Sequence, residues 1–163
     1  MPVSLRKTTP DDLDFVLEHE NEKENACYVS QWTREEHLQF MNTDDLHYIA
    51  VDNDTNERVG YMIIRGLANG APNKSAELMR LVAAIKGRGY GRQMLQCVKH
   101  VVFEELKMNR LWLDVVDDNA RARHLYESEQ FVYEGMLRQG QYFNGKFNNM
   151  CLYSIIADDR RKG

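Results

Sequence analysis

A glycine-rich turn between a predicted strand and a predicted helix is the part of this sequence best suited to chemistry. Residues 86–91 read Lys-Gly-Arg-Gly-Tyr-Gly and lie between an apolar run that ends at Ile85 and a long amphipathic stretch. Glycines let the backbone approach a ligand closely, and the unpaired N–H groups of a first helical turn bind phosphate oxygens. Lys86, Arg88 and Arg92 add positive charge. The segment is therefore a candidate diphosphate site, with ordinary turn chemistry as the alternative.

The glycine spacing argues against the two familiar nucleotide-binding motifs. Gly87, Gly89 and Gly91 follow a G-x-G-x-G pattern, whereas dinucleotide-binding turns use G-x-G-x-x-G and the P-loop uses GxxxxGK[ST]. A nucleotide-binding domain that uses this turn stays open as an alternative.

A second segment places an amide and a phenol on one helix face. Asn119, Ala122 and Tyr126 are spaced i, i+3 and i+7, so a helix that begins at Asn119 turns them to the same side. A phenol and a thiol have ordinary pKa values of roughly 10 and 8.5, so a tyrosine can protonate a departing thiolate once its surroundings shift these values. Tyr126 is thus a candidate general acid. The alternative is a core tyrosine whose hydroxyl is already hydrogen-bonded.

Together the two segments resemble the signature of the GNAT N-acetyltransferase superfamily. Lys86–Gly91 is similar to its acyl-CoA pattern [QR]-x-x-G-x-[GA], with lysine where the family has glutamine or arginine. Asn119–Phe131 is similar to its N-x-x-A-x-x-L-Y-x-x-x-G-F segment, with Gln130 in place of glycine. Leu111–Val115, followed by that segment, most resembles the ribosomal-protein acetyltransferase-like branch.

This resemblance implies an enzyme that moves an acetyl group from acetyl-CoA to a primary amine, either a protein N-terminus or a small-molecule amine. It implies direct attack in a ternary complex, with Tyr126 as general acid, backbone N–H groups near residues 81–83 polarising the carbonyl, and no metal. A non-catalytic acyl-CoA-binding module is the alternative. The residues implied to bind acetyl-CoA are Leu81, Val82, Ala83, Gly87, Arg88, Gly89, Tyr90, Gly91, Arg92, Asn119 and Tyr126.

A carboxylate on the strand before the turn is the candidate general base. Glu77 lies in the predicted strand Ala76–Ile85, where a carboxylate is out of place unless it faces a cavity. It could accept a proton from an ammonium substrate, directly or through water, and relatives in the resembled family carry an acidic residue on this strand. The alternatives are an exposed strand residue and an ion-pair partner for Arg80.

A run of four glutamates ahead of two aromatic residues is the candidate surface for the amine acceptor. Carboxylates and aromatic rings attract cations such as a peptide N-terminus, a polyamine or an aminoglycoside, whereas a solvated charged face is the alternative. The residues of this run are Glu18, Glu20, Glu22, Glu24, Tyr28 and Trp32. Weaker site candidates, each more readily explained as structural, are His100, His124, Tyr28 and Tyr142.

The elements that must position these residues alternate between strand and helix patterns. Helix starts are indicated by Thr9-Pro10-Asp11 and by the capping-box pattern at Thr33–Glu36. The run Val59–Ile64 is apolar on both faces, which predicts a central strand. The sequence predicts a single α/β (α+β) domain over residues 1–163, a GNAT-like fold with a mixed sheet of about six to seven strands and about four helices.

Composition narrows the classes of partner. The formal net charge of −4 gives no reason to expect nucleic-acid binding. Three scattered cysteines (Cys27, Cys97 and Cys151) indicate neither a disulfide framework nor a zinc site. The first residues lack the apolar run of a signal peptide, and no segment approaches the roughly 20 apolar residues that span a membrane. We therefore expect a cytoplasmic protein, and by analogy with the family a homodimer.

Overall fold

A seven-stranded mixed sheet forms the centre of the computed structural model, which describes residues 2–22, 25, 28 and 30–162. The strands are β1 (Val3–Lys7), β2 (Leu46–Asp52), β3 (Arg58–Arg65), β4 (Ser75–Ala83), β5 (Arg110–Val116), β6 (Val132–Phe143) and β7 (Lys146–Ile156). The described α-helices are α1 (Leu13–Glu20), α2 (Arg34–Met41), α3 (Tyr90–His100), α4 (Ala120–Ser128) and α5 (Ala157–Lys162). These elements confirm the predicted fold class. Glu24 and Cys27, named above, lie outside the described residues.

The strand order creates an opening in the middle of the sheet. The order is β1-β2-β3-β4-β5-β7-β6, and every neighbouring pair is antiparallel except β4 and β5. That parallel pair has only three registered partners, the last of which is Glu77 with Trp112. Both strands continue beyond this point without pairing to each other. Residues 78–83 of β4 therefore have β3 on one side and an opening on the other.

Both faces of the sheet are covered by helices, as predicted from the apolar pattern of β3. Met62 and Ile64 of β3 belong to the apolar cluster that includes Met94 of α3. Tyr61 and Ile63 belong to a second cluster on the opposite face, with residues of α1. Side chains that alternate along a strand point to opposite faces, so β3 contributes to both cores.

The structure has helix N-caps at the two positions where the sequence indicated them, Thr33 and Thr9. The Thr33 hydroxyl accepts from the backbone N–H of Glu36, and the Glu36 carboxylate accepts from the backbone N–H of Thr33. This reciprocal capping box satisfies two donors that a helix N-terminus leaves unpaired. Thr9 caps a short 3-10 turn, Pro10–Asp12, which leads into α1.

Several elements differ from the predicted ones. The long helix changes to a π-helical turn, Val101–Glu105, so its last residues are wound more loosely than α3. The sequence pattern predicts a closing antiparallel pair over Phe131–Leu137 and Phe147–Ile156, and β6 extends six residues beyond Leu137 because irregular pairing with β7 carries the hairpin further. Gln130, which replaces the glycine of the family pattern, adopts a positive φ of 71°. The turn after α4 therefore keeps the conformation that favours glycine, at a local energetic cost.

Asp12 is expected to make folding stability depend on acid pH. Its buried carboxylate accepts two hydrogen bonds from Arg6, at 2.7 and 2.8 Å, and one from the Thr9 backbone. Chiefly through Arg6, these contacts lower the pKa of Asp12 to about 2. A carboxyl group whose pKa is lower in the folded than in the unfolded protein stabilises the folded state at pH values above its unfolded pKa. This stabilisation is lost as the pH falls through 2. Wild type should therefore lose about 2 kcal/mol more unfolding free energy than Asp12→Asn between pH 6 and pH 2.

Urea unfolding of wild type and Asp12→Asn across this range measures the effect. Asp11→Asn is the matched control because Asp11 is the exposed neighbour in the same turn. A stability difference between wild type and Asp12→Asn that is the same at every pH would contradict the ion-pair explanation.

Candidate active site

A cavity of about 680 Å³ lies where the opening between β4 and β5 meets the glycine-rich turn. Its walls come from the end of β4, the turn, the first turn of α3 and the start of α4. Most residues predicted to bind acetyl-CoA line it together: Leu81, Ala83, Gly87, Gly89, Tyr90, Gly91, Arg92, Asn119 and Tyr126. Val82 and Arg88 do not. The Val82 side chain packs in the core on the opposite face, so only its backbone is near the cavity.

The glycine turn has the backbone conformation and the space that an anionic ligand needs. Gly87 and Gly89 have φ values of 76° and 75°, and Gly89 is the N-cap of α3. A Cβ added at either glycine would meet no atom within 4 Å. The first N–H groups of α3 have no partner within the helix and carry its positive dipole end. The turn can therefore accept phosphate oxygens without moving.

Two of the positive side chains around this turn, those of Lys86 and Arg92, are held by hydrogen bonds to neighbouring residues. The Lys86 ammonium donates to the Asn25 side chain and to the Ala83 carbonyl, both at 2.8 Å. The Arg92 guanidinium donates to Glu129 at 2.7 Å. These bonds attach the turn to its neighbours, so both side chains help to hold the turn as well as supplying charge.

Tyr90 anchors the turn through its hydroxyl. The ring is buried, and the hydroxyl donates to Asp52 Oδ2 at 2.7 Å. Asp52 ends β2 and accepts backbone N–H bonds from the following turn. Tyr90 therefore connects the start of α3 to the β2–β3 turn, a role that its place in the glycine motif did not indicate.

The predicted helix face of α4 points at the same cavity. Asn119 is the N-cap, its side-chain oxygen accepts from the Ala122 backbone at 3.3 Å, and Asn119, Ala122 and Tyr126 all line the cavity. The Tyr126 ring packs near Phe131 and Tyr153. Burial, with a smaller contribution from the Asp114 charge, raises the pKa of Tyr126 to about 12. The phenol therefore stays protonated at neutral pH, and no described residue hydrogen-bonds to its hydroxyl.

Glu77 lies beside the cavity without lining it. It is the last β4 residue paired to β5, its side chain is buried, and its Oε1 accepts from Arg65 Nε at 2.5 Å. The suggested pairing of Glu77 with Arg80 is wrong, because Glu77 pairs with Arg65 and Arg80 pairs with Glu20 of α1. Neighbouring Asp114 has a raised pKa, first through burial and then through the charge of Glu77, which places a second carboxyl group near the opening.

The acidic run does not form one surface. Glu20 is fully buried, Glu18 is exposed, and Glu22 pairs with His19. Glu20 and Arg80 form an internal ion pair that no spacing in the sequence indicated, since 60 positions separate them. The three glutamates of this run that the structure describes therefore have different surroundings and form no continuous surface.

A second, smaller cavity of about 190 Å³ adjoins the first. Tyr28 and Asp118 line both cavities. The other residues lining the smaller one are Val116, Phe143, Asn144, Lys146 and Asn148. Of the weaker candidates, Tyr28 and His124 line the larger cavity, whereas Tyr142 is largely exposed on β6. The two cavities together offer a long binding cleft with a junction at Tyr28.

A fold with a split central sheet, a glycine turn at a helix N-terminus and a tyrosine facing it defines an acyl-CoA-dependent transferase class. A family model described as the acetyltransferase (GNAT) family matches residues 13–130. The chain therefore belongs to the GNAT acetyltransferase family. This confirms the predicted family and the predicted N-acetyltransferase.

Individual relatives agree with this assignment. Spermidine N(1)-acetyltransferase of Vibrio cholerae is 24% identical over 165 residues, covering 94% of this chain and 92% of the relative. The spermidine N(1)-acetyltransferase of Escherichia coli is 25% identical over 175 residues, covering 99% and 92%. The putative ribosomal N-acetyltransferase YdaF of Bacillus subtilis is 29% identical over 85 residues, covering 52% and 46%. The resembled ribosomal-protein branch thus has a counterpart over half of the chain.

A solved structure shows the same fold. The crystal structure of Vibrio cholerae spermidine N-acetyltransferase in complex with CoA and spermine superposes with a TM-score of 0.84 at 22% identity, covering 96% of each chain. Among the described residues no helix is long and apolar enough to cross a membrane.

Proposed function

We propose that this chain transfers the acetyl group of acetyl-CoA directly to a primary amine, with both substrates bound at once. The larger cavity would hold acetyl-CoA, with its diphosphate on Gly87–Gly91 and the first N–H groups of α3. The amine would enter through the smaller cavity and meet the thioester near Tyr28. The two adjoining cavities support a ternary complex because each substrate then has its own approach.

The observation that carries this proposal is that Tyr126 lines the cavity while no described residue hydrogen-bonds to its hydroxyl. Attack of a neutral amine nitrogen on the thioester carbonyl forms the new C–N bond, and collapse of the tetrahedral intermediate breaks the C–S bond. The leaving thiolate then takes a proton, which Tyr126 supplies. Burial raises the pKa of a thiol as well as that of a phenol, so a thiolate in the same cavity is also a stronger base than in water.

The split between β4 and β5 supports a carbonyl-binding role for residues 81–83. The registered pairing to β5 ends at Glu77, so backbone groups of the following residues on that side have no β-strand partner there. Backbone N–H donors held in a rigid strand stabilise developing negative charge without reorganising. We assign this role to the backbone of Leu81–Ala83, with Asn119 near the pantetheine side of the cavity.

Glu77 is our proposed general base, acting through water. Its carboxylate lies at the start of the opening but outside the cavity walls, so direct contact with the amine would require a different side-chain position. The Glu77 carboxylate would have to accept a hydrogen bond from that water in addition to the one from Arg65. The proton lost by the amine would leave along this route.

The acceptor is proposed to be a cationic primary amine, with polyamines first among the candidates. Asp118 supplies a carboxylate and Tyr28 and Phe143 supply aromatic faces at the smaller cavity, a combination that attracts an ammonium group. The names of the relatives that match nearly the whole chain favour polyamines over peptide N-termini. The positive charge of Lys146 at the same cavity would repel an acceptor with several ammonium groups. Turnover with spermidine should therefore be compared with turnover with monoamines.

CoA release from acetyl-CoA, measured with polyamines, peptides and aminoglycosides, tests the proposal. Turnover with one class and intersecting initial-rate lines would support direct transfer in a ternary complex. Parallel lines would indicate an acyl-enzyme and overturn that mechanism. A failure of nucleotides to compete with acetyl-CoA would remove the nucleotide-binding alternative.

The remaining expectations stay predictions: one domain over residues 1–163, a cytoplasmic location, and no metal requirement. One related Vibrio cholerae structure is described as a complex with manganese ions. Turnover measured after dialysis against a chelator would test the metal prediction for this chain.

We also propose that two copies associate through the exposed β6–β7 hairpin. Val132, Met136, Leu137 and Phe147 are each 46–61% exposed on the two faces of this edge hairpin, and exposed apolar side chains of this kind are typical of an interaction surface. Changing Met136 and Leu137 together to glutamate should convert a dimer into a monomer in sedimentation. Gln139→Glu on the same strand is the charge control. A monomeric wild type, or an unchanged mass in the double variant, would refute this interface.

A further inference from the structure

The two ends of the connection between α1 and α2 meet at one buried carboxylate. Glu20 is the last residue of α1, and Trp32 lies just before Thr33, the cap of α2. The Trp32 backbone N–H donates to Glu20 Oε1 at 2.9 Å. The same oxygen accepts from Arg80 of β4 at 2.7 Å. The start and the end of the connection are thereby joined to the sheet at a single atom.

Arg80 makes this junction with three groups at once. Besides Glu20, its second terminal nitrogen donates to Ser30 Oγ at 2.9 Å. Its guanidinium carbon lies 4.5 Å from the centre of the Trp32 ring. A planar, forked guanidinium can make a charged hydrogen bond, a second hydrogen bond and a stacking contact together, whereas a lysine ammonium cannot.

The other Glu20 oxygen is held through a chain of buried hydrogen bonds. A carboxylate only accepts hydrogen bonds, so His37 Nε2 donates to Glu20 Oε2 at 2.7 Å. His37 Nδ1 is hydrogen-bonded to His47 Nε2 at 3.0 Å, and His47 Nδ1 is hydrogen-bonded to the Thr8 hydroxyl at 2.7 Å. Both Glu20 oxygens and both nitrogens of each histidine therefore have a hydrogen-bond partner.

The connection held in this way carries part of the cavity wall. Of its described residues, Asn25 and Tyr28 line the larger cavity, and Tyr28 also lines the smaller one. Arg80 is 5% exposed and lines neither cavity. Arg80 can therefore act on the reaction through the connection, which it contacts, or through the backbone of Leu81, which follows it on β4.

We propose that Arg80 is a positioning residue that clamps the two ends of the α1–α2 connection and thereby places Tyr28 at the junction of the two cavities. The clamp controls the fit of the amine acceptor more than that of acetyl-CoA, because Gly87–Gly91 and α3 make none of its contacts and the connection reaches the turn through the Asn25–Lys86 hydrogen bond. This inference rests on the proposed function for the assignment of the smaller cavity to the acceptor.

Arg80→Lys tests the clamp with little change in charge. Lysine keeps the pairing with Glu20 but loses the bond to Ser30 and the contact with Trp32. We expect KM for the acceptor to rise about tenfold, as for one lost charge-assisted hydrogen bond. KM for acetyl-CoA and kcat should stay within about twofold. A drop in kcat with both KM values unchanged would show a smaller folded fraction and overturn the proposal.

A double-mutant cycle separates the clamp from a general packing effect. Ser30→Ala removes the hydrogen bond between Arg80 and the Ser30 hydroxyl, and Ser30 is exposed, so the substitution leaves no buried cavity. If Arg80 acts through Ser30, the Arg80→Lys/Ser30→Ala variant should have the same acceptor KM as Arg80→Lys alone. Fully additive effects on acceptor KM would contradict the shared contact.

Arg6→Lys is the matched control, because Arg6, like Arg80, binds a buried carboxylate, that of Asp12, and does so through two hydrogen bonds without touching the connection. It should change stability without changing acceptor KM. An equal rise in acceptor KM would overturn the specific role of Arg80.

Hydrogen exchange provides a readout that does not need turnover. The peptide spanning residues 21–33 should exchange faster in Arg80→Lys than in wild type, while α3 and the β6–β7 hairpin should not change. If wild type transfers no acetyl group to any amine, the proposed function fails, but the exchange experiment still tests whether Arg80 holds the connection. Unchanged exchange in residues 21–33 would overturn the clamp proposal.

Discussion

Replacing Tyr126 with phenylalanine is expected to lower kcat by about 10²- to 10³-fold, the range that general acid catalysis supplies. The ring would keep its packing against Phe131 and Tyr153, and only the hydroxyl would be lost. Without it the thiolate must leave unprotonated or take its proton from water. The dissociation constant of acetyl-CoA should change by less than about twofold, because the cradle is formed by other residues.

The pH profile gives an independent check on Tyr126. With its pKa raised to about 12, the phenol remains a donor throughout the range in which the amine substrate loses its proton. Activity of wild type should thus rise with pH as the amine becomes neutral, with no loss attributable to Tyr126 below about pH 11.

Tyr142→Phe is the matched control for this experiment. Tyr142 is 66% exposed on β6 and lies outside both cavities, so removal of its hydroxyl should leave kcat unchanged. A Tyr126→Phe enzyme with wild-type kcat would remove Tyr126 as the general acid. Equal losses in both variants would point to a general effect of the substitution.

Replacing Gly89 with valine is expected to weaken acetyl-CoA binding by about 10- to 100-fold or more, which corresponds to the loss of one or two hydrogen bonds to charged oxygens. Gly89 has a φ of 75°, where a β-branched residue is strained, so the turn would shift its N–H groups. The space around its missing Cβ is open, so the new methyl groups would also enter the volume assigned to the ligand. Calorimetric titration with CoA measures the affinity directly.

Gly70→Val separates ligand exclusion from backbone strain. Gly70 has a φ of 73°, and a Cβ added there would meet no atom within 4 Å, as at Gly89, but it lies in a loop away from both cavities. Both variants should lose similar stability, and only Gly89→Val should lose affinity. Wild-type affinity in a folded Gly89→Val protein would refute the diphosphate site.

Much of the candidate site could be predicted because its residues are close together in the chain. The glycine turn occupies six consecutive residues, and Asn119, Ala122 and Tyr126 lie within one short helix and its cap. Local spacing determines the backbone conformation of a turn and the face of a helix, so these two segments could be interpreted one at a time. That they face the same cavity follows from the fold.

The long-range pairs could not be predicted in this way. Arg80, three positions after Glu77 in the sequence, was a suggested ion-pair partner for Glu77. The partner in the structure is Arg65, which lies opposite Glu77 in the β3–β4 pairing. Arg80 instead pairs with Glu20 of α1. A bulge in the β3–β4 pairing places Glu77 and Arg80 opposite Arg65 and Ile63, which share a face of β3, so the two side chains lie on one face and still take different partners.

The sequence by itself therefore determined the class of fold, the glycine turn that we propose binds acetyl-CoA, and the helix that carries Tyr126. The tertiary structure alone decided which buried charges pair, where β4 and β5 separate, and that Tyr28 lies where the two cavities meet. The reason is physical. Turns and helix faces depend on neighbours within a few residues, whereas the partner of a buried charge is chosen by strand register and by the elements packed over the sheet.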